Sequence, residues 1–243
     1  MIKDAYEGFA ERYDWMHQDN SARRDFFRQL FINNQTTKIL DCACGTGRDL
    51  LMFHDLGLTV FGSDLSDSML IQARKNIGDS DIPTKKVNFC ELAENYNVKF
   101  DAVACLTNSI NEPLEDLETL QAMRSMKAVL SDGGILVFDQ GQTDASMQNP
   151  PPFAPILNNR DITRFFTMEY SANIQTVNIF DFIHTEDNSD FRYTSVRIRV
   201  RLMDNWLEIL REVGFNDVKI FGGWDLEPYD KQTSSRLIVV AKN

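Results

Sequence analysis

The run Ile39-Leu40-Asp41-Cys42-Ala43-Cys44-Gly45-Thr46-Gly47-Arg48-Asp49 joins an apolar segment to a turn of small residues and then to a helical pattern. Gly45 and Gly47 have no β-carbon and Ala43 is nearly as small. Backbone amides at the start of a helix can therefore come within hydrogen-bonding reach of an adenosine-type ligand. A second apolar run, Val60-Phe61-Gly62-Ser63, ends in Asp64, 17 residues after Gly47. A carboxylate there can accept from both hydroxyls of a ribose. Ser66 and Asp67 follow, so Asp64 can also help cap a helix, a role compatible with ligand binding.

The elements that must position this turn follow from hydrophobic periodicity. The first 35 residues read as helical, with Tyr6, Phe9, Tyr13 and Met16 three or four apart and Phe26, Phe27, Leu30 and Phe31 after Ser21; they are expected to form a lid or flanking helices. From Lys38 the pattern alternates: a strand to Asp41, a helix closed by Gly57, a strand from Thr59 to Ser63, a helix from Ser66 to about Asn76, and a strand from Lys86 to Phe89. Alternation of this kind specifies a parallel sheet. A fourth strand covers Phe100 to Cys105. Pro113 opens a helix striped by Leu114, Leu117, Leu120, Met123, Met126 and Leu130, and Ile135 to Asp139 makes a fifth strand. Pro150-Pro151-Pro152-Phe153-Ala154-Pro155 reads as a stiff loop.

The rhythm then changes. Three strand-like segments (Ile162 to Tyr170, Thr176 to Ile183, Phe191 to Leu202) have no helix between them and predict an antiparallel insertion able to roof a site. A helix from Asp204 to Val213 and two strands, Val218 to Phe221 and Arg236 to Ala241, finish the chain. With no crossover helix between them, those strands should pair antiparallel. The expected organisation is one domain over 1–243: a lid at 1–35, a ligand-binding core at 36–140, the insertion at 145–202, and the terminal helix and hairpin at 203–243.

At 243 residues and 43% hydrophobic content, the chain can bury one α/β core with an elaboration. Its 25 basic and 36 acidic residues give a net charge of −11 with no basic field, so nucleic acid is not an expected partner. Arg197, Arg199 and Arg201 would share one face of a strand, read as a solvated surface. No apolar run is long enough for a membrane-spanning helix, and the start lacks a secretory layout, so a soluble, cytoplasmic protein is expected. Cys42, Cys44, Cys90 and Cys105 lack zinc-knuckle spacing and read as small buried thiols, with no metal expected.

A glycine turn followed by an acid serves both dinucleotide oxidoreductases and S-adenosylmethionine (SAM) methyltransferases. Here Leu50 stands where the third glycine of Gly-x-Gly-x-x-Gly would lie, which disfavours close approach to a pyrophosphate. The set Asp41 to Gly47, Asp64, Leu130 to Val137, and the terminal Val213-Gly214-Phe215 with Arg236 to Val240 resembles the motifs of class I SAM-dependent methyltransferases. The resemblance implies a Rossmann-like seven-stranded sheet whose last strand is antiparallel, with the antiparallel insertion after strand five. Within that class, Phe100 to Ser109, Ser63 to Leu70 and the insertion are similar to glycine N-methyltransferases and related small-molecule enzymes. Asp139 to Asp144 departs from their Arg-Asn-Tyr-Asp-type run, so no carboxylate clamp for glycine is evident.

The resemblance implies SAM as cofactor and a small-molecule acceptor, an amine before a hydroxyl; a non-catalytic SAM-binding protein is a further reading. It implies that Asp64 holds the ribose, Leu65 and Met69 flank the adenine, and Asp41, Ala43, Gly45, Thr46 and Gly47 form the turn along the methionine portion. Glu91 and Leu92 would meet the adenine amino group, and Leu106 would sit under the cofactor. Asn108 would face the transferred methyl, or else serve as a turn former. Tyr13 and Arg23, with Tyr6 and Arg24, could close over the sulfonium end or grip a carboxylate; helix core and exposed salt bridges are the alternatives. His17 and His184 are weak candidates for a base.

Overall fold

The computed structural model describes residues 4, 6–17, 20–186 and 189–243. Residues 1–3, 5, 18 and 19 of the expected lid lie outside these. Strands β1 (Lys38–Asp41), β2 (Thr59–Asp64), β3 (Thr84–Lys86), β4 (Phe100–Cys105) and β5 (Leu130–Gln140) precede β6 (Phe153–Asn158), β7 (Ile162–Ser171), β8 (Ile174–His184) and β9 (Ser189–Arg199). Then come β10 (Asp217–Phe221) and β11 (Leu237–Lys242). The helices are α1 (Ala10–Tyr13), α2 (Ser21–Asn33), α3 (Arg48–Asp55), α4 (Asp67–Ile77), α5 (Leu92–Asn95), α6 (Asp116–Val129) and α7 (Met203–Val213).

The main sheet has the order β10-β11-β5-β4-β1-β2-β3. β1 pairs in parallel with both β2 and β4, while β11 runs antiparallel to both β5 and β10. Connections leave β1 toward β2 on one side and reach β4 on the other, so the chain reverses its direction of travel beside β1. A crevice must open there at the carboxyl ends of the strands. Alternation along each strand supplies both cores. Leu40, Val103 and Phe138 pack with Met123, Met126 and Trp206 on one face. Ile39, Ala102 and Val137 pack with Phe27, Leu50 and Phe53 on the other.

Several boundaries differ from the sequence expectation. β3 ends at Lys86, and Phe89–Glu91 forms a 3-10 turn where the strand was expected to run on, because the Asn88 side chain accepts from the Cys90 N–H and bends the chain. Leu117 lies off the buried stripe of α6 and is 75% exposed. The proline-rich stretch yields an edge strand: β6 pairs with β7, and its register shifts between Pro155 and Leu157, where proline cannot donate.

The insertion is thus a separate four-stranded sheet, β6-β7-β8-β9, and not three strands. The arginine comb is broken, since β9 stops at Arg199 and Arg201 turns inward. Arg201 is 3% exposed and donates to the Pro113 carbonyl and to Asp116, each at 3.1 Å. Among the described residues, no helix is long and apolar enough to cross a membrane, and no cluster of ligating side chains could hold a metal.

Candidate active site

The crevice beside β1 is a cleft of about 680 Å³. Its floor is the glycine turn. Gly47 caps α3 with φ +81°, and a β-carbon there would press on Ile77 and Ala73 of α4 at 3.2 and 3.3 Å. That φ strains any L side chain, and the packing leaves room for none. Gly45, by contrast, meets nothing within 4 Å on its open side.

Its N–H donates to Asp64 Oδ2 at 2.9 Å, while the Ser66 N–H donates to Oδ1 at 2.9 Å. Each carboxylate oxygen accepts one backbone bond and has a lone-pair site remaining. Burial pushes Asp64 above the usual carboxylate range, and the Ser66, Gly45 and Leu65 amides pull it back. Ser66 caps α4, accepting from the Met69 N–H at 3.1 Å. Leu65, Met69, Asn88 and Phe89 line this end with Asp64; Leu65 is 59% exposed.

Ala43, Gly45, Thr46, Leu106 and Tyr13 also line the cleft. Asp41 lies buried behind the turn, where Oδ1 accepts from the Ala43 N–H at 3.2 Å, and burial holds its carboxyl well above the usual range. The lid is fastened to the turn. Thr46 Oγ1 donates to Asp14 at 2.6 Å, and Asn76 Nδ2 bridges Asp14 and the Thr46 carbonyl at 3.0 and 2.9 Å.

Six predicted site residues do not line the cleft: Asp41 and Gly47 lie behind its surface, and Arg23, Glu91, Leu92 and Asn108 stand elsewhere. Arg23 is buried and forms a two-pronged pair with Asp49, one bond at 2.7 Å, with its guanidinium over the Phe27 and Trp224 rings. It holds the wall without lining it, and Arg48 faces the cleft in its place. Glu91 is exposed outside the cleft, and Leu92 is buried with its N–H on Ser125 Oγ at 2.7 Å. β3 ends early, and Asn88 and Phe89 just after it line the cleft.

Asn108 is a turn residue in the structure. Thr107 and Asn108 both have positive φ, +58° and +68°, and Asn108 Oδ1 accepts from the Gly141 N–H at 2.7 Å. The Thr107 N–H reaches Asp139 Oδ1 at 2.9 Å. Left-handed conformation costs a β-branched residue like threonine more than asparagine, so this turn is held against strain by the end of β5. It directs Thr107, Ser109 and Glu112 into the cleft.

Glu112 and Asp14 were not singled out by sequence, and His17 only as a weak candidate for a base. Their signals were isolated polar residues next to helical patterns, with nothing local to place them. Glu112 accepts from the Tyr6 hydroxyl at 2.7 Å. Although its side chain opens on the cleft, desolvation by the surrounding protein and the charge of Asp64 push it up to about 7, against the lowering effect of Tyr6. Burial, reinforced by Arg48, takes His17 down to about 4, so it is neutral at pH 7. His17 Nε2 has no hydrogen-bond partner among the described residues. Tyr6 and Tyr13 are both raised by burial and keep their protons.

The roof and lid meet through one carboxylate. Asp181 accepts from Arg164 Nε at 2.6 Å and Nη2 at 2.8 Å, and from Arg12 Nε at 3.1 Å. Arg164 also donates to the Arg12 carbonyl at 3.0 Å and lies over the Phe9 ring.

Residues 39–134 match a methyltransferase domain family. The chain is 30% identical over 147 residues to the glycine/sarcosine N-methyltransferase of Parasynechococcus marenigrum, covering 58% of this chain and about half (52%) of that relative. It is 25% identical over 245 residues to the enzyme of the same description from Aphanothece halophytica, covering 97% of this chain and 88% of the relative. A SAM-dependent methyltransferase structure from Clostridium acetobutylicum superposes with a TM-score of 0.84 at 18% identity over 98% of each chain. The glycine turn, the acid ending β2 and the single reversed strand thus stand in a sheet of the same fold as that structure, and residues 39–134 carry the likeness to the methyltransferase domain family.

Proposed function

We propose that this chain transfers the methyl group of SAM to the nitrogen of a small amine, working as one unit of lid, core and roof. The carrying observation is the charge of the cleft wall. Asp4, Asp14, Asp49, Asp64, Asp67, Glu112 and Glu118 face it, against Arg48 and Lys86; Asp49 is paired with Arg23, and Asp67 with Lys86 at 2.5 Å. A negative, partly desolvated cleft favours a sulfonium and a cationic acceptor together.

The residues suit SAM. Asp64 would take the ribose hydroxyls on its two remaining lone-pair sites, Leu65, Met69 and Phe89 would flank the adenine, and Ala43, Gly45 and Thr46 would line the methionine portion. Tyr13 would close over the sulfonium, where aromatic rings suit a cation, and Leu106 would pack beneath. Asp41, Gly47 and Arg23 would act from behind the wall, shaping the turn and fixing Asp49. Bound SAM supplies a methyl carbon on positively charged sulfur, reactive enough for direct displacement. The protein's part is then mainly positioning, worth about 7 kcal/mol or more when the reacting atoms are aligned.

The test is methyl transfer from labelled SAM to a panel of small amines, phenols and carboxylates. Label on an amine nitrogen supports the proposal. Label only on phenol or carboxylate oxygen, or SAM binding without turnover on any acceptor, refutes it.

A further inference from the structure

The N-methylation reading leaves open which amine is accepted and where its proton goes. We propose that Glu112, held by Tyr6, seats the acceptor's ammonium group and takes its proton, so that the acceptor is a cationic amine bearing no carboxylate. This rests on the reading above and sharpens it.

Position comes first. Glu112 follows the 3-10 turn Ser109–Asn111 at the end of β4 and lines the cleft beside Ser109 and Pro113. The Tyr6 hydroxyl engages Oε1 at 2.7 Å, and Oε2 accepts no hydrogen bond among the described residues. The groups whose charge reaches Glu112 are Tyr6 and Tyr13 from the lid, Asp64 from β2 and Cys105 from β4. None of these is a cation. An ammonium ion would be the missing counter-charge for a carboxylate that opens on the cleft.

The same inventory argues against a carboxylate on the acceptor. Arg164 is committed to Asp181, Arg23 to Asp49, Arg201 to Asp116 and Pro113, and Arg236 to Asp139. Arg48 is the one arginine lining the cleft among the described residues; its charge is felt at His17, Asp49 and Tyr13, and it does not figure among the groups that shift Glu112. A glycine-like acceptor seated at Glu112 would bring its carboxylate toward Asp64 with no arginine to receive it.

The chemistry balances. An ammonium N–H gives its proton to a carboxylate oxygen of Glu112. The freed lone pair forms the C–N bond while the C–S bond breaks, its electron pair remaining on sulfur. Positive charge moves from sulfur to the methylated nitrogen, and Glu112 returns its proton to solvent. A carboxylate at about 7 is a better match for an amine than an ordinary glutamate at about 4.3.

The experiment is calorimetric titration of protein saturated with S-adenosylhomocysteine, using ethanolamine, glucosamine and glycine, for the wild type, Glu112→Gln and Glu112→Asp. At pH 7.5 at least one carboxylate-free amine should bind the wild type tenfold or more tighter than glycine, and more weakly at pH 5.5. Glu112→Gln should weaken that amine at least tenfold and Glu112→Asp less. S-adenosylhomocysteine affinity should hold within about twofold, and Tm should not fall by more than about 2 °C. Glycine binding as tightly as the amines overturns the inference, as does an unchanged amine affinity in Glu112→Gln, loss of S-adenosylhomocysteine affinity in that variant, or no binding by either amine. N-methylation of glycine, unaffected by Glu112→Gln, would overturn this inference alone. Wild-type protein that fails to bind S-adenosylhomocysteine would instead overturn the function proposed above.

Discussion

The two ends of the cleft are built differently. The end at Asp64 is made of backbone: the Gly45 and Ser66 amides and the left-handed Gly47 come from a short stretch of chain around two adjacent strands. The end at Glu112 is made of side chains brought from afar, with Tyr6 from the lid and a β4 turn pinned by Asp139 and Gly141 of the β5 end, under a lid tied to the roof at Asp181. Backbone geometry tolerates little variation, whereas side-chain geometry can be rewritten by single substitutions. On the function proposed above, the shared cofactor would belong to the first end and the specific acceptor to the second.

The largest effect that would test this contrast is Asp181→Ala. It leaves Arg164, whose side chain is 0% exposed, and Arg12, at 12%, without their shared counter-charge. Stability should fall by about 3–5 kcal/mol, read by urea denaturation; a loss below about 1 kcal/mol would mean that lid and roof are not coupled there. Asp64→Ala attacks the backbone-built end. S-adenosylhomocysteine affinity should drop by about 1–3 kcal/mol as ribose hydroxyls and two amides lose their acceptor, and unchanged calorimetric affinity would sink the assignment.

Asn108→Ala should cost about 1 kcal/mol of stability through the lost Gly141 bond and left-handed backbone, whereas Asn108→Gly should recover the backbone part; equal losses in thermal melts would deny the strain. The smallest effect is at His17. Its folded pKa of about 4 lies below its ordinary 6.5, so the unfolded chain binds the extra proton first, and His17 draws stability down as pH falls from 6.5 toward 4. An NMR titration midpoint above 6 would place His17 in water and detach the lid from the wall.

Glu112 acts in the opposite sense. Its folded pKa of about 7 exceeds the ordinary 4.5, so the stability associated with the protonated form is present at low pH and is lost as pH rises from 4.5 through 7. A cationic ligand that stabilises the ionised carboxylate should shrink this loss.

The main sheet was legible because its signals are local and repeated: period-two apolar runs, helical stripes between them and glycines at the turns. The roof was legible as antiparallel, but its first strand hid behind Pro150 to Pro155, because edge pairing is decided by the neighbouring β7 and not by propensity. Arg201 likewise reads as part of a solvated comb until β9 ends two residues before it. Asn108 shows the limit at the site itself. Its type fits a ligand contact or a turn equally well, and what holds it in the turn is the Gly141 N–H, 33 residues away.

By itself, the sequence determined the alternation of strands and helices in the main sheet, the glycine turn and the acid that closes β2, since each depends on residues close together in the chain. Tertiary structure alone decided that Arg23 braces Asp49, that Asn88 and Phe89 replace Glu91 and Leu92 on the wall, and that Tyr6 meets Glu112 across 106 residues. The physical reason is range. Steric and periodic constraints act within a turn or a strand, whereas charge pairing and desolvation depend on which distant groups the packed core brings face to face.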